Sequence, residues 1–152
     1  MLFRSLRPDD LARAARGVAR GIGAAAARKI RVRVLGRPEL SALKAGGILA
    51  VAKGSPAPPR LVVAEYRGGS PGSPWTALVG KGVTFDTGGI SLKKWEGMEK
   101  MKYDMAGGAG MLATLRASAA LGIRRNLVAV VPCVENMPSG TAYRPGDVLR
   151  MM

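Results

Sequence analysis

The spacing of apolar and polar residues divides the first part of the chain into short helical and extended segments. Residues 8–22, PDDLARAARGVARGI, begin with Pro and two Asp and then carry apolar side chains at a helical period, which predicts a capped helix. Residues 30–35, IRVRVL, alternate apolar and Arg positions and predict a strand near a sheet edge. The next segment, PELSALKAG at residues 38–46, predicts a helical turn.

Longer apolar runs in the rest of the chain predict the centre of a sheet. The runs at residues 48–54 and 61–68 are typical of strands, and the loop SPAPP separates them. Residues 76–86 predict another strand, and residues 111–122 have helical spacing with a glycine at the end. The continuous apolar run at 126–134 is typical of a strand buried on both faces. The last three segments have the order of a right-handed β-α-β crossover unit.

Composition narrows the class of protein. The chain has 152 residues, of which 47% are hydrophobic and 22% charged, as expected for one globular domain. No run reaches the roughly 18–20 apolar residues that span a bilayer, and the N-terminus lacks a leader pattern, so we expect a soluble cytoplasmic protein without membrane contact. A chain without histidine supplies no Ser-His-Asp triad, and Cys133 has no second thiol.

The positive charge is concentrated in the first part of the chain. Residues 1–60 hold 13 Lys or Arg against 3 Asp or Glu, whereas residues 61–152 hold 11 against 7. A basic segment of this kind binds nucleic acid or a partner subunit in some proteins, and in others it is a solvated helix face. Phe3 is the only aromatic residue in 1–60, so we do not expect a nucleic-acid module there.

Four charged residues are candidates for chemistry, and the first two belong to the predicted strand 76–86. Lys81 interrupts an uncharged run, so its ammonium either reaches solvent at a strand end or lies near carboxylates or a metal that lowers its pKa. Asp86 ends the strand at the sheet edge where α/β proteins bind ligands, although a turn or capping role is also open. Their odd separation requires a bulge or a turn, near Gly82 or at the strand end, if both serve one site.

The other two candidates follow in the charged segment after the strand. Lys93 lies in ISLKKWEG, and Asp104 precedes the segment AGGAG, where it either caps the next helix or points into the same cleft. Two carboxylates and two lysines at one sheet edge predict a place for a divalent cation. The remaining charges of the segment are expected to be solvated: Lys94, Glu96, Glu99, Lys100 and Lys102.

Three motifs closely resemble the leucine aminopeptidase, or cytosol aminopeptidase, family: VGKGVTFDTGGISLK at 79–93, MKYDMAGGAG at 101–110 and ENMPSGTAYRPGD at 135–147. Weaker similarity covers residues 42–68. The resemblance implies an α/β fold with three layers, in which helices cover both faces of a mixed, mainly parallel sheet. It also implies a centre of two divalent metal ions, Mn²⁺ or Zn²⁺, that removes N-terminal residues, often leucine, from peptide substrates, in an enzyme that assembles as a homo-oligomer, a hexamer.

The resemblance also assigns roles to residues. Lys81, Asp86 and Asp104 match metal ligands, with Asp86 bridging both ions. Lys93 matches the catalytic lysine that polarises the scissile carbonyl, and Met101 matches a substrate-binding position in the pocket for the first side chain.

The motif N-T-D-A-E-G-R-L, expected after RPGDV, is not found before Met152. We therefore interpret residues 1–152 as the N-terminal part of a truncated catalytic domain, without the family's N-terminal domain, and expect negligible peptidase turnover from it. The alternative hypothesis is a non-catalytic module that uses residues 1–60 to bind nucleic acid or a partner subunit.

Overall fold

A computed structural model describes residues 5–151 and shows a sheet with helices on both faces. The α-helices are α1 (Pro8–Arg16), α2 (Ala24–Ala27), α3 (Arg37–Ala42), α4 (Gly46–Val51) and α5 (Ala106–Ala120). The strands are β1 (Ile30–Leu35), β2 (Arg60–Arg67), β3 (Trp75–Val79), β4 (Gly82–Asp86) and β5 (Asn126–Asn136). One 3-10 turn, Ala52–Gly54, follows α4, and another, Met98–Tyr103, precedes α5.

The five strands form one mixed sheet with β5 at its centre. The order is β1-β2-β5-β3, and β4 also pairs with β5, beyond the part that β3 covers. The pairs β1/β2 and β2/β5 are antiparallel, whereas β3/β5 and β4/β5 are parallel. The mixed α/β fold is therefore confirmed, but parallel pairs do not outnumber antiparallel ones, because β2 runs opposite to the other four strands and pairs with two of them.

Alternating side chains of β2 and β5 pack against different helix layers. Val62, Ala64 and Tyr66 face α1 and α5, together with the alternate residues of β5 from Leu127 to Cys133. Leu61 and Val63 face the opposite layer, where α3 and α4 pack. A strand whose consecutive side chains are both covered must be apolar throughout, which explains the continuous apolar run of β5.

The prediction of a strand at residues 48–54 is wrong. These residues form the end of α4 and the 3-10 turn Ala52–Gly54. Residues 48–52 of this segment are apolar without interruption, so their pattern has no period that separates strand from helix. Ile48 and Val51 pack beside Val83 and Val134 on the sheet, which is a tertiary contact that the local pattern does not contain.

Glycines shift the ends of the other predicted elements. The first helix ends at Arg16 rather than at residue 22, since Gly17 begins a series of turns and Gly21 has a φ of +72°. The predicted strand 76–86 is divided into β3 and β4, which are separated by Gly80 and Lys81. The last helix begins at Ala106, five residues before the predicted start, because the Gly/Ala segment continues the helix.

The thiol of Cys133 is fully buried, and burial raises its pKa to about 12.

We expect Leu115→Ala to lower the free energy of unfolding by about 2–5 kcal/mol, because it leaves a cavity between α5 and the sheet. Leu115 is 0% exposed, and it belongs to the cluster that α1, α5 and the sheet share. Leu121, at the end of the same helix and 76% exposed, provides the matched control. Urea unfolding of Leu121→Ala should differ from wild type by less than about 0.5 kcal/mol, and an equal loss in both variants would contradict this packing.

Candidate metal centre

The carboxylate of Asp86 is the centre of a charged cluster at the carboxyl end of β4. Asp86 is only 7% exposed, and its Oδ2 lies 2.9 Å from Nζ of Lys81 and 3.1 Å from Nζ of Lys93. The same Lys81 ammonium lies 2.7 Å from Oδ2 of Asp104. The four charged residues singled out in the sequence therefore converge on one place.

A bulge in β4 brings Lys81 and Asp86 to the same side of the sheet. Gly82 and Val83 pair with residues 133 and 134 of β5, but the next pairs are Phe85 with 135 and Asp86 with 136. One extra residue in β4 therefore lies opposite β5, and this insertion cancels the odd separation of Lys81 and Asp86. The bulge that the sequence required for a shared site is confirmed.

Asp104 reaches the cluster from the start of α5. The residue that precedes the helix as its N-cap is Met105, and it makes no capping bond with its side chain. The capping role considered for Asp104 is therefore wrong, and its carboxylate points toward Lys81 instead. Oδ2 of Asp104 is buried, and no donor among residues 5–151 is aligned for a hydrogen bond with it, so its contact with Lys81 is an ion pair without hydrogen-bond geometry.

Lys93 returns to the cluster at the end of a tight loop. Its backbone N–H donates to the carbonyl of Thr87, with N and O 2.9 Å apart, which closes the loop that follows β4. Its ammonium lies between Oδ2 of Asp86 and Sδ of Met101, to which it donates over 3.1 Å. Met101 is thus next to the catalytic candidate, at the edge of the charged cluster.

The electrostatics of the cluster favour the charged forms of Lys81 and Asp86. Burial acts to lower the pKa of Lys81, but the carboxylates of Asp104 and Asp86 outweigh it, and the pKa is raised above its ordinary value. Burial acts to raise the pKa of Asp86, but Lys81, the N–H of Gly88, the side chain of Asp104 and Lys93 hold it well below its usual range. The protein groups alone therefore do not lower the pKa of Lys81 as the sequence suggested, and a cation at the carboxylates would have to do so.

The sequence did not single out three residues that hold Asp86 in place. Oδ1 of Asp86 accepts hydrogen bonds from Gly88 N–H, at 2.9 Å, and from Nδ2 of Asn136, at 2.8 Å. Thr87 donates its hydroxyl to the backbone carbonyl of Asn136 over 2.8 Å. Asn136 could have been found, because it ends the parallel strand next to β4 and therefore shares its ligand-binding edge.

The donors of the cluster fit part of a divalent metal site. Carboxylate oxygens and an amine nitrogen suit Mn²⁺ or Zn²⁺, and the buried Oδ2 of Asp104 has no aligned donor within the described chain. Residues 5–151 contain no group of three His, Cys, Asp or Glu side chains that could hold a metal. The described residues therefore offer two carboxylates and a lysine, which is fewer ligands than a pair of ions requires.

Features outside the cluster carry less chemistry. The five charged residues expected to be solvated are exposed, as predicted: Lys94, Glu96, Glu99, Lys100 and Lys102. A cavity of about 680 Å³ lies at the opposite end of β5, lined by residues 69–74, Trp75 and Arg67. Arg67 is the one charged residue among its lining residues, and it pairs with Glu65 at 3.2 Å.

An α/β layer architecture with carboxylates and lysines at the carboxyl edge of its parallel strands presents charged groups where proteins of this class bind their ligands. Residues 3–152 match the model of the cytosol aminopeptidase family, catalytic domain. This chain belongs to that family of peptidases.

Relatives and solved structures agree with this assignment. The chain is 53% identical over 145 residues to a probable cytosol aminopeptidase of Ralstonia pickettii and 48% identical to one of Burkholderia mallei, covering 95% of this chain in each case. It superposes on the cytosol aminopeptidase of Coxiella burnetii with a TM-score of 0.85 at 33% identity, and on the bottromycin maturation enzyme BotP in complex with Mn with a TM-score of 0.84 at 38% identity. Both alignments cover 97% of this chain.

The chain spans 28% of the length of these two curated relatives and 30% of each of the two solved chains. The comparisons do not favour the alternative of a basic module that binds nucleic acid or a partner subunit. None of the helices within residues 5–151 is long and apolar enough to cross a membrane.

We expect Gly108→Ala to destabilise the fold by about 1–3 kcal/mol through overpacking beneath the cluster. A Cβ at Gly108 would lie 2.5 Å from Cγ1 of Val131 and 2.8 Å from the carbonyl oxygen of Lys81, which the Gly108 N–H already contacts at 2.7 Å. Gly110 lies in the same helix, and a Cβ there would meet nothing within 4 Å. Denaturant unfolding should show Gly110→Ala stabilised by up to about 1 kcal/mol, and a stable Gly108→Ala would argue against the close approach.

Proposed function

We propose that this chain supplies one part of a two-metal aminopeptidase centre, which releases N-terminal amino acids, leucine-like ones in particular, from peptides. Lys81, Asp86 and Asp104 are the proposed ligands of two divalent cations, Mn²⁺ or Zn²⁺, and Lys93 is the proposed catalytic lysine. By the same resemblance, we propose that the chain acts as part of a cytoplasmic homo-oligomer, a hexamer. Residues 1–152 are the proposed N-terminal part of the catalytic domain.

The convergence of Lys81 and Lys93 on Oδ2 of Asp86, with Asp104 beside the same Lys81, is the observation that supports this proposal. The carboxylate oxygen that attracts two ammonium groups can also attract a divalent cation, once the proton of Lys81 is lost. One solved structure of the relative BotP is in complex with Mn. Its similarity over 97% of this chain is consistent with the same type of ion here.

The carboxylates of Asp86 and Asp104 would hold the cations, and Lys81 would join them as a neutral amine. Lys81 lies 2.9 Å and 2.7 Å from these two carboxylates, so its nitrogen is placed to share the same ions. When bound, such ions activate water as a nucleophile and polarise a carbonyl group. The proton of Lys81 must leave for this role, because an ammonium group has no lone pair to donate.

Lys93 would stabilise the negative charge that develops on the carbonyl oxygen of the scissile peptide bond. Its side chain is 41% exposed, so it can reach a substrate while it stays within 3.1 Å of Asp86. A fixed ammonium at the edge of a partly buried site stabilises an oxyanion more than it does in water. Met101, in contact with Lys93, would line the pocket for the first side chain of the peptide, and a flexible thioether suits apolar side chains of varied shape.

We expect Asp86→Asn and Asp104→Asn to weaken Mn²⁺ binding, because each variant removes a direct ligand. The loss should exceed the roughly 10–100-fold that is typical when only a residue that orients a ligand is changed. Electron paramagnetic resonance of the purified chain, which detects free Mn²⁺, gives the dissociation constants. Glu99→Gln removes an exposed carboxylate from the same segment and should leave the affinity unchanged. Equal affinities in all three variants would refute the proposed ligands.

We expect Lys93→Met to weaken binding of the phosphonic acid analogue of leucine by about 10–100-fold in the presence of Mn²⁺. This range corresponds to the roughly 1.5–3 kcal/mol of a hydrogen bond to a charged group, since the phosphonate presents the tetrahedral anionic oxygens that Lys93 should contact. Isothermal titration calorimetry measures the loss. Lys94→Met, a change of the adjacent and exposed lysine, should bind the analogue as wild type does, and a similar loss there would mean that only general charge matters.

A further inference from the structure

We propose that Asn136 is a positioning residue for the metal centre, which holds the carboxylate of Asp86 so that Oδ2 faces the cation site. This inference rests on the proposed function, because it concerns how one of the proposed ligands is oriented. It assigns to β5 a part in the site that the charged residues alone do not show.

The register of the sheet places Asn136 next to Asp86. β4 and β5 are parallel, and Asp86 pairs with Asn136 at the last position of both strands. Paired residues on neighbouring parallel strands have side chains on the same face of the sheet. The bulge in β4 sets this pairing, because without it Asp86 would lie opposite the residue after Asn136.

The two oxygens of Asp86 have different partners. Oδ1 accepts from Nδ2 of Asn136 at 2.8 Å and from the backbone N–H of Gly88 at 2.9 Å, whereas Oδ2 faces the ammonium groups of Lys81 and Lys93. An ionised carboxylate only accepts hydrogen bonds, so the amide nitrogen of Asn136, and not its oxygen, must face Oδ1. Two neutral donors therefore occupy one oxygen, and the other is left for positive charge.

Asn136 is itself held rigidly by the loop after β4. Its backbone carbonyl accepts from the N–H of Thr87 at 2.9 Å and from the hydroxyl of Thr87 at 2.8 Å. Its side-chain oxygen lies close to Gly89, where an added Cβ would be only 2.8 Å away and where φ is +70°. Gly89 thus leaves the space that the amide group occupies, and the amide cannot turn without losing its bond to Asp86.

This arrangement should raise the affinity of the site for a cation. The χ2 torsion of an aspartate allows a broad range of angles, so a carboxylate that nothing restrains can rotate. It loses this freedom when a cation binds. Hydrogen bonds to a ligating carboxylate remove this cost in advance, and changing such partners typically lowers metal affinity by about 10–100-fold. We therefore expect Asn136→Ala to bind Mn²⁺ about 10–100-fold more weakly than wild type.

Asn126 provides a matched control on the same strand. It is a buried asparagine at the opposite end of β5, where its side chain accepts from Gly69 N–H at 3.1 Å and donates to the carbonyl of Ser73 at 3.0 Å. Asn126→Ala should therefore reduce the melting temperature but leave the Mn²⁺ affinity within about threefold of wild type. Asn136→Leu keeps most of the side-chain volume without a donor, so it serves if Asn136→Ala does not fold.

The measurement is electron paramagnetic resonance of Mn²⁺ with the purified chain, together with melting curves with and without Mn²⁺. The inference is supported if Asn136→Ala or Asn136→Leu binds at least tenfold more weakly and Asn126→Ala does not. Wild-type affinity in the Asn136 variants, or an equal loss in Asn126→Ala, overturns the positioning role and leaves the proposed metal site intact. Absence of Mn²⁺ binding by the wild-type chain overturns the proposed function, and the positioning role with it.

Discussion

The site depends on the burial of one ionised carboxylate. Removing the charge of Asp86 from water costs several kcal/mol unless opposite charges and hydrogen-bond donors replace the lost solvation. Here the replacements come from the break before β4, from the loop after it and from the end of β5: Lys81, Gly88, Lys93 and Asn136. One buried anion thus fixes the relative positions of two strands and a loop, and the place where chemistry is proposed is also a place where the fold is held together.

Close packing of backbone brings the second carboxylate to the first. Gly80 and Gly108 lie where α5 approaches the break between β3 and β4, and a Cβ on either would lie less than 3 Å from neighbouring atoms. The N–H of Gly108 donates to the carbonyl of Lys81 at this point. Because the helix can come this close, Asp104 just before it reaches the ammonium of Lys81. Gly108 of the segment AGGAG therefore serves the geometry of the site as well as the helix.

A bound cation would change the form of Lys81, ammonium or neutral amine, that the cluster favours. As long as carboxylates are the nearest charges of Lys81, its ammonium form is favoured, and its pKa is raised. A divalent cation would reverse the sign of the local potential and favour the neutral amine. The cation must therefore compete with Lys81 for the same oxygens, so the orientation of Asp86, and with it Asn136, bears directly on how well a cation binds.

The sequence by itself determined the family and singled out the residues that are proposed to carry its chemistry. The chain has no histidine and a single thiol, so the candidates were carboxylates and lysines, and the long motifs around Asp86 and Asp104 pointed to the aminopeptidase family, which the comparisons confirm. Alternation along the strand also showed that Lys81 and Asp86 needed a bulge to meet. The tertiary structure decided the conformation of the segment 48–54. Its largely apolar sequence has no period that separates strand from helix, and its packing on the sheet favours the helical form. The tertiary structure also decided the role of Asn136. Its contact with Asp86 joins the ends of two strands, and the register that pairs them cannot be read from the local sequence of either strand.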